Sequence, residues 1–367
     1  MKKLWLFIVS ILIVLLSMPV SFAAGNVIES PNVRIVIDGT QVTFSNTPVT
    51  VNERVMLPLR EILTKLGVKD DPEHILWNDA DKSVTIYKDQ TKIILKVGQS
   101  NAFINDQEIR LDAAPVNYNS RVFIPVRFVS QSLGKKVVWD GATFTVFVRE
   151  ESEFNRTKEV LDKISAAMQP ICRFKFGMET RMIIAAKEAV ISGEGETDLG
   201  KQILHTKMRF NLLGKETITE TVLAQNTVFS KVMPAENWQK KSISKEQFEK
   251  LLNGQLIIKG RVDTLAAGLV LQEGDSFGDL KLKGDLFIDD LFNQATASVG
   301  ILGIDFSKMN LELAVDRNTY LLKTAAVTAE ANAKSASGSQ KITETIRCTY
   351  SEYNGDFSVP LPEDIKQ

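Results

Sequence analysis

From residue 33 to residue 149 the apolar residues come in short alternating runs broken by turn residues, the period of half-buried strands. Arg34 to Asp38 reads as a strand, Asp38-Gly39 as a hairpin turn and Val42 to Phe44 as the returning strand. Twice the period changes to a helical one. After the strand Arg54–Leu57, Pro58 is followed by Leu59, Ile62, Leu63 and Leu66, and Gly67 closes the segment. Pro125, Val126, Val129, Leu133 and Gly134 repeat that order. Proline at the first helical position and glycine just past the last are the punctuation of a short helix. A helix so short cannot stand alone, so its apolar stripe must pack on the neighbouring strands.

The two segments are copies. Pro48, Val49, Asn52, Arg54, Val55, Pro58, Arg60 and Gly67 recur at one constant spacing as Pro115, Val116, Asn119, Arg121, Val122, Pro125, Arg127 and Gly134. Each copy ends in a tryptophan turn, Trp77-Asn78-Asp79-Ala80 or Trp139-Asp140-Gly141-Ala142, and then a closing strand, Ser83–Tyr87 or Phe144–Val148. This gives two repeats, 33–88 and 92–148. The first is longer near residues 69–74, a loop tip and a place for the copies to differ in role. In the second copy Asn105-Asp106 takes the place of the Asp38-Gly39 turn.

The second half has a different texture. Residues 150–155 are polar and read as a linker. Phe154 to Met168 is an amphipathic helix with Val160, Leu161, Ile164 and Met168 on one face, stopped by Pro170. Then Cys172, Phe174, Phe176, Met178, Met182 and Ile184 alternate with Arg173, Lys175, Glu179 and Arg181. Gly193-Glu194-Gly195-Glu196 reads as a polar turn. Alternation returns at Met208-Phe210-Leu212, Ile218–Val222, Thr227–Val232, Leu311-Leu313-Val315 and Ile342–Tyr350. Such strands argue for a continuous antiparallel sheet with one dry face. Two further helices are expected, one after the capping box Ser244-Lys245-Glu246-Gln247 to about Leu252 and one from Phe287 to Ser298. Helices laid on the sheet either seal its apolar face or leave an apolar cavity beneath them.

Composition narrows the class. The chain has 367 residues, enough for two domains. A net charge of −1 favours neither nucleic acid nor an acidic membrane, so no nucleic-acid partner is expected. At the N-terminus Lys2 and Lys3 precede an apolar run from Leu4 to Leu16, and Ser21-Phe22-Ala23 fits a small-x-small cleavage site. Residues 1–23 therefore read as a signal peptide, with an uncleaved anchor as the alternative. The run is shorter than the ~20 residues of a membrane span. No cysteine follows it, which speaks against a lipoprotein anchor. A secreted or extracytoplasmic protein of the cell envelope is expected. In that compartment Cys172 and Cys348 are either a disulfide or two buried thiols.

The candidate chemistry is sparse. Arg60 and Arg127 sit in the first turn of their helices, where the dipole disfavours a cation. A structural ion pair, with Asp79 and Asp140 as candidate partners, is one reading; a carboxylate- or phosphate-binding arginine is the other. Trp77 and Trp139 are core packing or sugar-stacking platforms. The chain has two histidines, His74 and His205, and none of the zinc, copper, phosphate-loop, dinucleotide or nucleophile-elbow spacings. Asp289-Asp290 diverge if helical and do not form an acid pair. No enzyme, cofactor or metal is expected.

On the hairpin Val36-Ile37-Asp38-Gly39, the two Pro-x-Arg helix starts, both Leu-Gly helix ends and both Trp turns, residues 33–149 resemble the copper amine oxidase N-terminal-like domain. This resemblance implies an accessory stalk of exported proteins of Gram-positive bacteria, without catalytic residues. Pro58, Arg60, Gly67, Trp77, Pro125, Arg127, Gly134 and Trp139 are then mainly structural. The helix before the first long strand, Val232-Met233-Pro234 leading to Trp238, and the last strand into Tyr353-Asn354 resemble LolA/LppX-like lipoprotein carriers over residues 156–365. The fold class expected is thus α+β. It comprises a duplicated small β-rich domain with one short helix per repeat, then a curved antiparallel half-barrel sheet with covering helices. The resemblance implies an acyl-chain or lipid ligand, with Phe174, Phe176, Met178 and Met182 as apolar-face candidates. The function expected is a non-catalytic envelope protein that joins a surface-attachment module to this half-barrel. Its alternative is a structural protein with a filled core that interacts with protein or cell wall. The oligomeric state is left open.

Overall fold

The computed structural model describes residues 26–184, 187–212, 215–253, 261–272, 278–287, 306–335 and 338–363. The segment 1–23, expected as a signal peptide, and Asp289-Asp290 lie outside them. Two compact units emerge, the first from residues up to Pro31 together with Phe44–Leu133, the second from Asn32–Thr43 together with Gly134 onward.

The first unit holds two five-stranded sheets. In one, Arg54–Pro58 and Arg121–Pro125 pair antiparallel, with Leu57 opposite Ile124. The equivalent strands of the two copies therefore meet across a local two-fold. Each runs straight into its short helix, α1 (Leu59–Lys65) or α2 (Val126–Ser132), with Pro58 or Pro125 at the N-cap. Leu59, Ile62 and Leu63 of α1 and Val126 and Val129 of α2 are buried. Gly67 and Gly134 follow at φ +81° and +74°, where an L side chain would be strained. The other sheet runs, in spatial order, Gln107–Arg110, Asn101–Ile104, Thr91–Lys96, Ser83–Lys88 and Ile75–Asn78. Asn105 and Asp106 make its tight turn at φ +48° and +67°, as their sequence suggests.

The remaining pieces of the duplicated region lie in the second unit. Thr145–Glu150 pairs antiparallel with Lys135–Asp140 and parallel with Arg34–Ile37, the strand of the first hairpin. Val36 and Phe147 share one continuous core with Leu265 and Leu286 of the second half. The compact division therefore cuts through the 33–149 region expected as one domain. Within the second unit, Arg149 fixes the seam between the repeat strands and the second half of the chain. It is 2% exposed and its guanidinium donates to the carbonyl oxygens of Ala266 (2.6 Å) and Leu269. Residues 150–155 carry regular structure where a linker was expected: Glu150 ends a strand and helix α3 (Glu151–Met168) begins at the next residue.

The second unit is built on an 11-stranded, wholly antiparallel, curled sheet. In chain order its strands are β1 (Arg173–Ile184), β2 (Lys187–Asp198), β3 (Ile203–Leu212), β4 (Lys215–Ala224), β5 (Thr227–Val232) and β6 (Gln239–Ser242). Then follow β7 (Val270–Gln272), β8 (Leu280–Asp285), β9 (Phe306–Val315), β10 (Leu322–Ser335) and β11 (Gly338–Ser351). In space they run β6-β5-β4-β3-β2-β1-β11-β10-β9-β8-β7, so the first and last strands pair at the centre. The chain leaves one edge at β6 and re-enters at the opposite edge, β7. That connection carries α4 (Lys245–Asn253) and α5 (Val262–Gly268). Phe248 and Leu252 of α4, Leu265 of α5, and Phe154, Leu161 and Ile164 of α3 all join the core on one sheet face. The capping box at α4 is reciprocal: Gln247 N–H donates to Ser244 Oγ (3.2 Å) and Ser244 N–H to Gln247 Oε1 (3.1 Å).

Two expectations change here. Gly193-Glu194-Gly195-Glu196 is the middle of strand β2 and not a turn. The glycines are there because their partners leave no room: a Cβ on Gly193 would stand 2.7 Å from Met208 Sδ, and one on Gly195 would collide with the Phe176 ring. The helix expected from Phe287 to Ser298 falls almost wholly outside the described residues; Phe287 itself is buried and non-helical.

Candidate functional site

Strand alternation sends every second residue of the large sheet to the helix-covered face. On β1 these are Phe174, Phe176, Met178, Thr180 and Met182. Register extends them sideways into rows. Met178 lies between Gly193 of β2 and Cys348 of β11, and Gly193 faces Met208 of β3. Thr180 continues through Ile191 to Phe210. On the other side the rows run through Ile346 to Val327 and Leu311.

The four candidate apolar residues lie on this one face in two settings. Phe174, Phe176 and Met182 are buried. The Phe174 ring lies 6.1–6.2 Å from those of Phe176, Tyr350 and Tyr353, an aromatic knot that closes one end of the face. Met178 is only partly buried, as are Ala189, Met208 and Phe210 beside it. The half of the face over β9, β10 and β11 is filled, whereas the half over β2 and β3 keeps part of its apolar surface open.

One polar group interrupts the filled half. Glu344 of β11 is 1% exposed, and neither carboxyl oxygen has a hydrogen-bond partner. Its cross-strand neighbours are Met182 and Ala329, and Ile342 and Ile346 flank it on its own strand. Burial alone pushes its pKa from 4.5 up to about 7. Asp285 is a useful contrast. It too is buried, yet its carboxylate accepts from Gln41 N–H and Asn310 Nδ2, each at 2.9 Å. The alternation Ile342-Thr343-Glu344-Thr345-Ile346 places Glu344 inward from sequence alone, but it was not singled out there.

The candidate disulfide does not form; both cysteines are free. Cys348 sits opposite Met178, six positions further along the sheet than Cys172. That is ~20 Å of extended chain, far beyond the ~7 Å a disulfide spans. Burial raises the Cys348 thiol to about 11.

In the first unit, the first-copy motif residues line a cleft of about 310 Å³. Leu59, Ile75, Val84 and Val122 form its apolar wall, with Arg60, Glu61, Trp77, Ser120 and Arg121 around them. Arg60 is ion-paired with Asp70 of the longer first-copy loop and not with Asp79. Trp77 is 40% exposed, against the core packing weighed for it, because its strand Ile75–Asn78 is an edge strand. Trp139 is similarly exposed, edge-on to Phe144 at 6.3 Å. Arg121 and Arg127 are exposed.

Among the described residues, no three metal-ligating side chains stand together, and no helix is long and apolar enough to cross a membrane. His205 sits on the opposite sheet face, its ring nitrogens 3.2 Å from Glu196 and 3.0 Å from Glu220.

Residues 36–148 match the copper amine oxidase N-terminal domain, in agreement with the duplicated motifs. Residues 290–367 match a family of unknown function, DUF6612. Among curated proteins no sequence matches the chain. Of solved structures, lipoprotein LppX of Mycobacterium tuberculosis is similar at 10% identity and a TM-score of 0.36, over 56% of this chain and 99% of that one. LprF from Mycobacterium bovis is similar at 10% identity and 0.37, over 57% and 97%. A LolA superfamily protein from Nitrosomonas europaea is similar at 11% identity and 0.23, over 57% and 97%. All three TM-scores lie below one half, so ligand chemistry has to be read from this chain's own residues.

Proposed function

We propose that this is an exported, non-catalytic envelope protein whose half-barrel binds an acyl chain or a similar apolar ligand. The observation that carries the proposal is the half-open apolar face. Met178, Ala189, Met208 and Phe210 form adjoining rows that the helices cover only in part. Flexible thioether side chains beside small residues suit a chain of variable shape. The test is native mass spectrometry of protein from its own host, with uptake of the apolar dye diphenylhexatriene. Co-purified lipid, and dye binding that Met208→Glu abolishes in a folded protein, are expected. Absence of both ligand and dye uptake rejects the reading in favour of a filled structural core.

The duplicated region serves, on this proposal, to attach the protein at the envelope. The first-copy cleft supports a cell-wall contact, since an exposed Trp77 beside Arg60 and Arg121 offers a stacking face and cations for an acidic glycan. Retention of the full chain on isolated cell wall, lost in Trp77→Ala and Arg121→Ala, tests it. Equal retention of the variants assigns attachment to another surface.

A further inference from the structure

The carboxyl of Glu344 is set into the apolar face with no partner. Its four nearest positions in the register are Met182, Ala329, Ile342 and Ile346. No cation stands at any of them. An unpaired buried polar group is costly, and a chain that only needed a filled core is served there by leucine. The other buried carboxylates on strands of the same sheet, Asp198 and Asp285, have donors in place. Glu344 is therefore the one described acid of this face that lacks what the fold supplies elsewhere. Met182 lies across from it, and Ala189, opposite Met182 on β2, belongs to the half-open part of the face. A chain lying along the open rows reaches Glu344 by displacing one flexible methionine side chain.

We propose that Glu344 is the polar subsite of the half-barrel and receives the hydrogen-bond-donating head, an ammonium or hydroxyl, of a long-chain amphiphile. This rests on the half-barrel reading above and narrows it, from apolar chains in general to chains that carry a donor. A carboxylate is acceptor-only, so it discriminates against fatty-acid anions and phosphate heads, which bring only acceptors and like charge. Bound to an amine it gains a charge-assisted hydrogen bond in a dry site.

The experiment uses the full chain and its Glu344→Gln and Glu344→Leu variants, with diphenylhexatriene as a headless reporter. Dodecylamine, dodecanol and laurate compete for the dye at about pH 8, where the carboxyl is ionised. In the wild type, dodecylamine and dodecanol are expected to displace the dye at least about tenfold more effectively than laurate. Glu344→Leu should erase that order while keeping dye uptake. Glu344→Gln, whose amide still accepts, should keep dodecanol and lose the preference for dodecylamine. The proposal is overturned if all three proteins bind the dye and rank the amphiphiles alike; the half-barrel reading then survives. If no form takes up the dye, that reading falls and the subsite falls with it.

Discussion

Phe176 and Gly195 are cross-strand partners, and the phenyl ring occupies the space that a side chain on Gly195 would need. A Cβ there would also stand 2.8 Å from the His205 carbonyl oxygen on the next strand. The glycine is therefore a packing requirement of the sheet. Gly195→Ala should cost about 1–3 kcal/mol in urea unfolding, the usual range for overpacking. Adding Phe176→Ala should return part of that cost and make the pair non-additive. Strict additivity of the two changes would show that the ring is not what excludes the methyl.

Glu344 makes stability depend on pH in the sense opposite to most carboxylates. Its folded pKa is raised from 4.5 to about 7, so between those values the folded state holds a proton that the unfolded state has lost. Stability is free of the penalty below about pH 4.5, falls as pH rises through the window, and is lowest above about pH 7. The shift corresponds to about 3 kcal/mol. Glu344→Gln should flatten the curve across that window, measured by urea unfolding at fixed ionic strength. A wild-type curve already flat there would mean that a hidden partner satisfies the carboxyl.

Much of this architecture is legible in the residues, and the exceptions have physical causes. The Pro-x-Arg helix starts, the glycine stops, the Ser244 capping box and the alternation of β1 are local signals, and local chemistry decides them. Strand β2 was hidden because Gly193 and Gly195 carry turn residues for a reason that lies on β1 and β3. Strand β10 was hidden by Ala325, Ala329 and Ala331, since alanine is the best helix former. Those positions are small because they are fully buried in the sheet face. The parallel pairing of Thr145–Glu150 with Arg34–Ile37 joins segments far apart in sequence, so the seam at Arg149 had no local trace. The inward direction of Glu344 is readable from period two; its lack of a partner is a property of the neighbouring strands.

Arg149 ties the last strand of the repeats to the end of α5. Burial lowers its pKa, and its guanidinium satisfies two carbonyls at a helix C-terminus. Arg149→Met removes the buried cation but orphans the Ala266 and Leu269 oxygens, so a net loss of about 1–3 kcal/mol is expected. Arg149→Lys keeps the charge without the planar fork and should also destabilise. Hydrogen exchange reads the location: faster exchange confined to α5 and the 134–150 strands supports the seam, whereas uniform change across the chain argues against it.

Glu220 is a part-buried contributor to the acid limb of the same pH profile, beside more exposed carboxylates such as Asp316. Burial raises its pKa, but hydrogen bonds from Lys231 (2.9 Å) and His205 (3.0 Å) outweigh that and hold it below 4.5. A depressed folded pKa contributes stability that is present above about pH 4.5 and lost as pH falls through the folded value. The Glu344 penalty grows in the opposite direction, above about pH 4.5. Taken together, the two groups place the stability maximum at or below about pH 4.5, more acidic than is usual for a globular protein. Glu344→Gln should turn that maximum into a plateau reaching neutral pH, and Glu220→Gln should lower the plateau and weaken the acid limb. If the maximum stays in place in Glu344→Gln, other carboxylates set the profile and the buried acid of β11 does not.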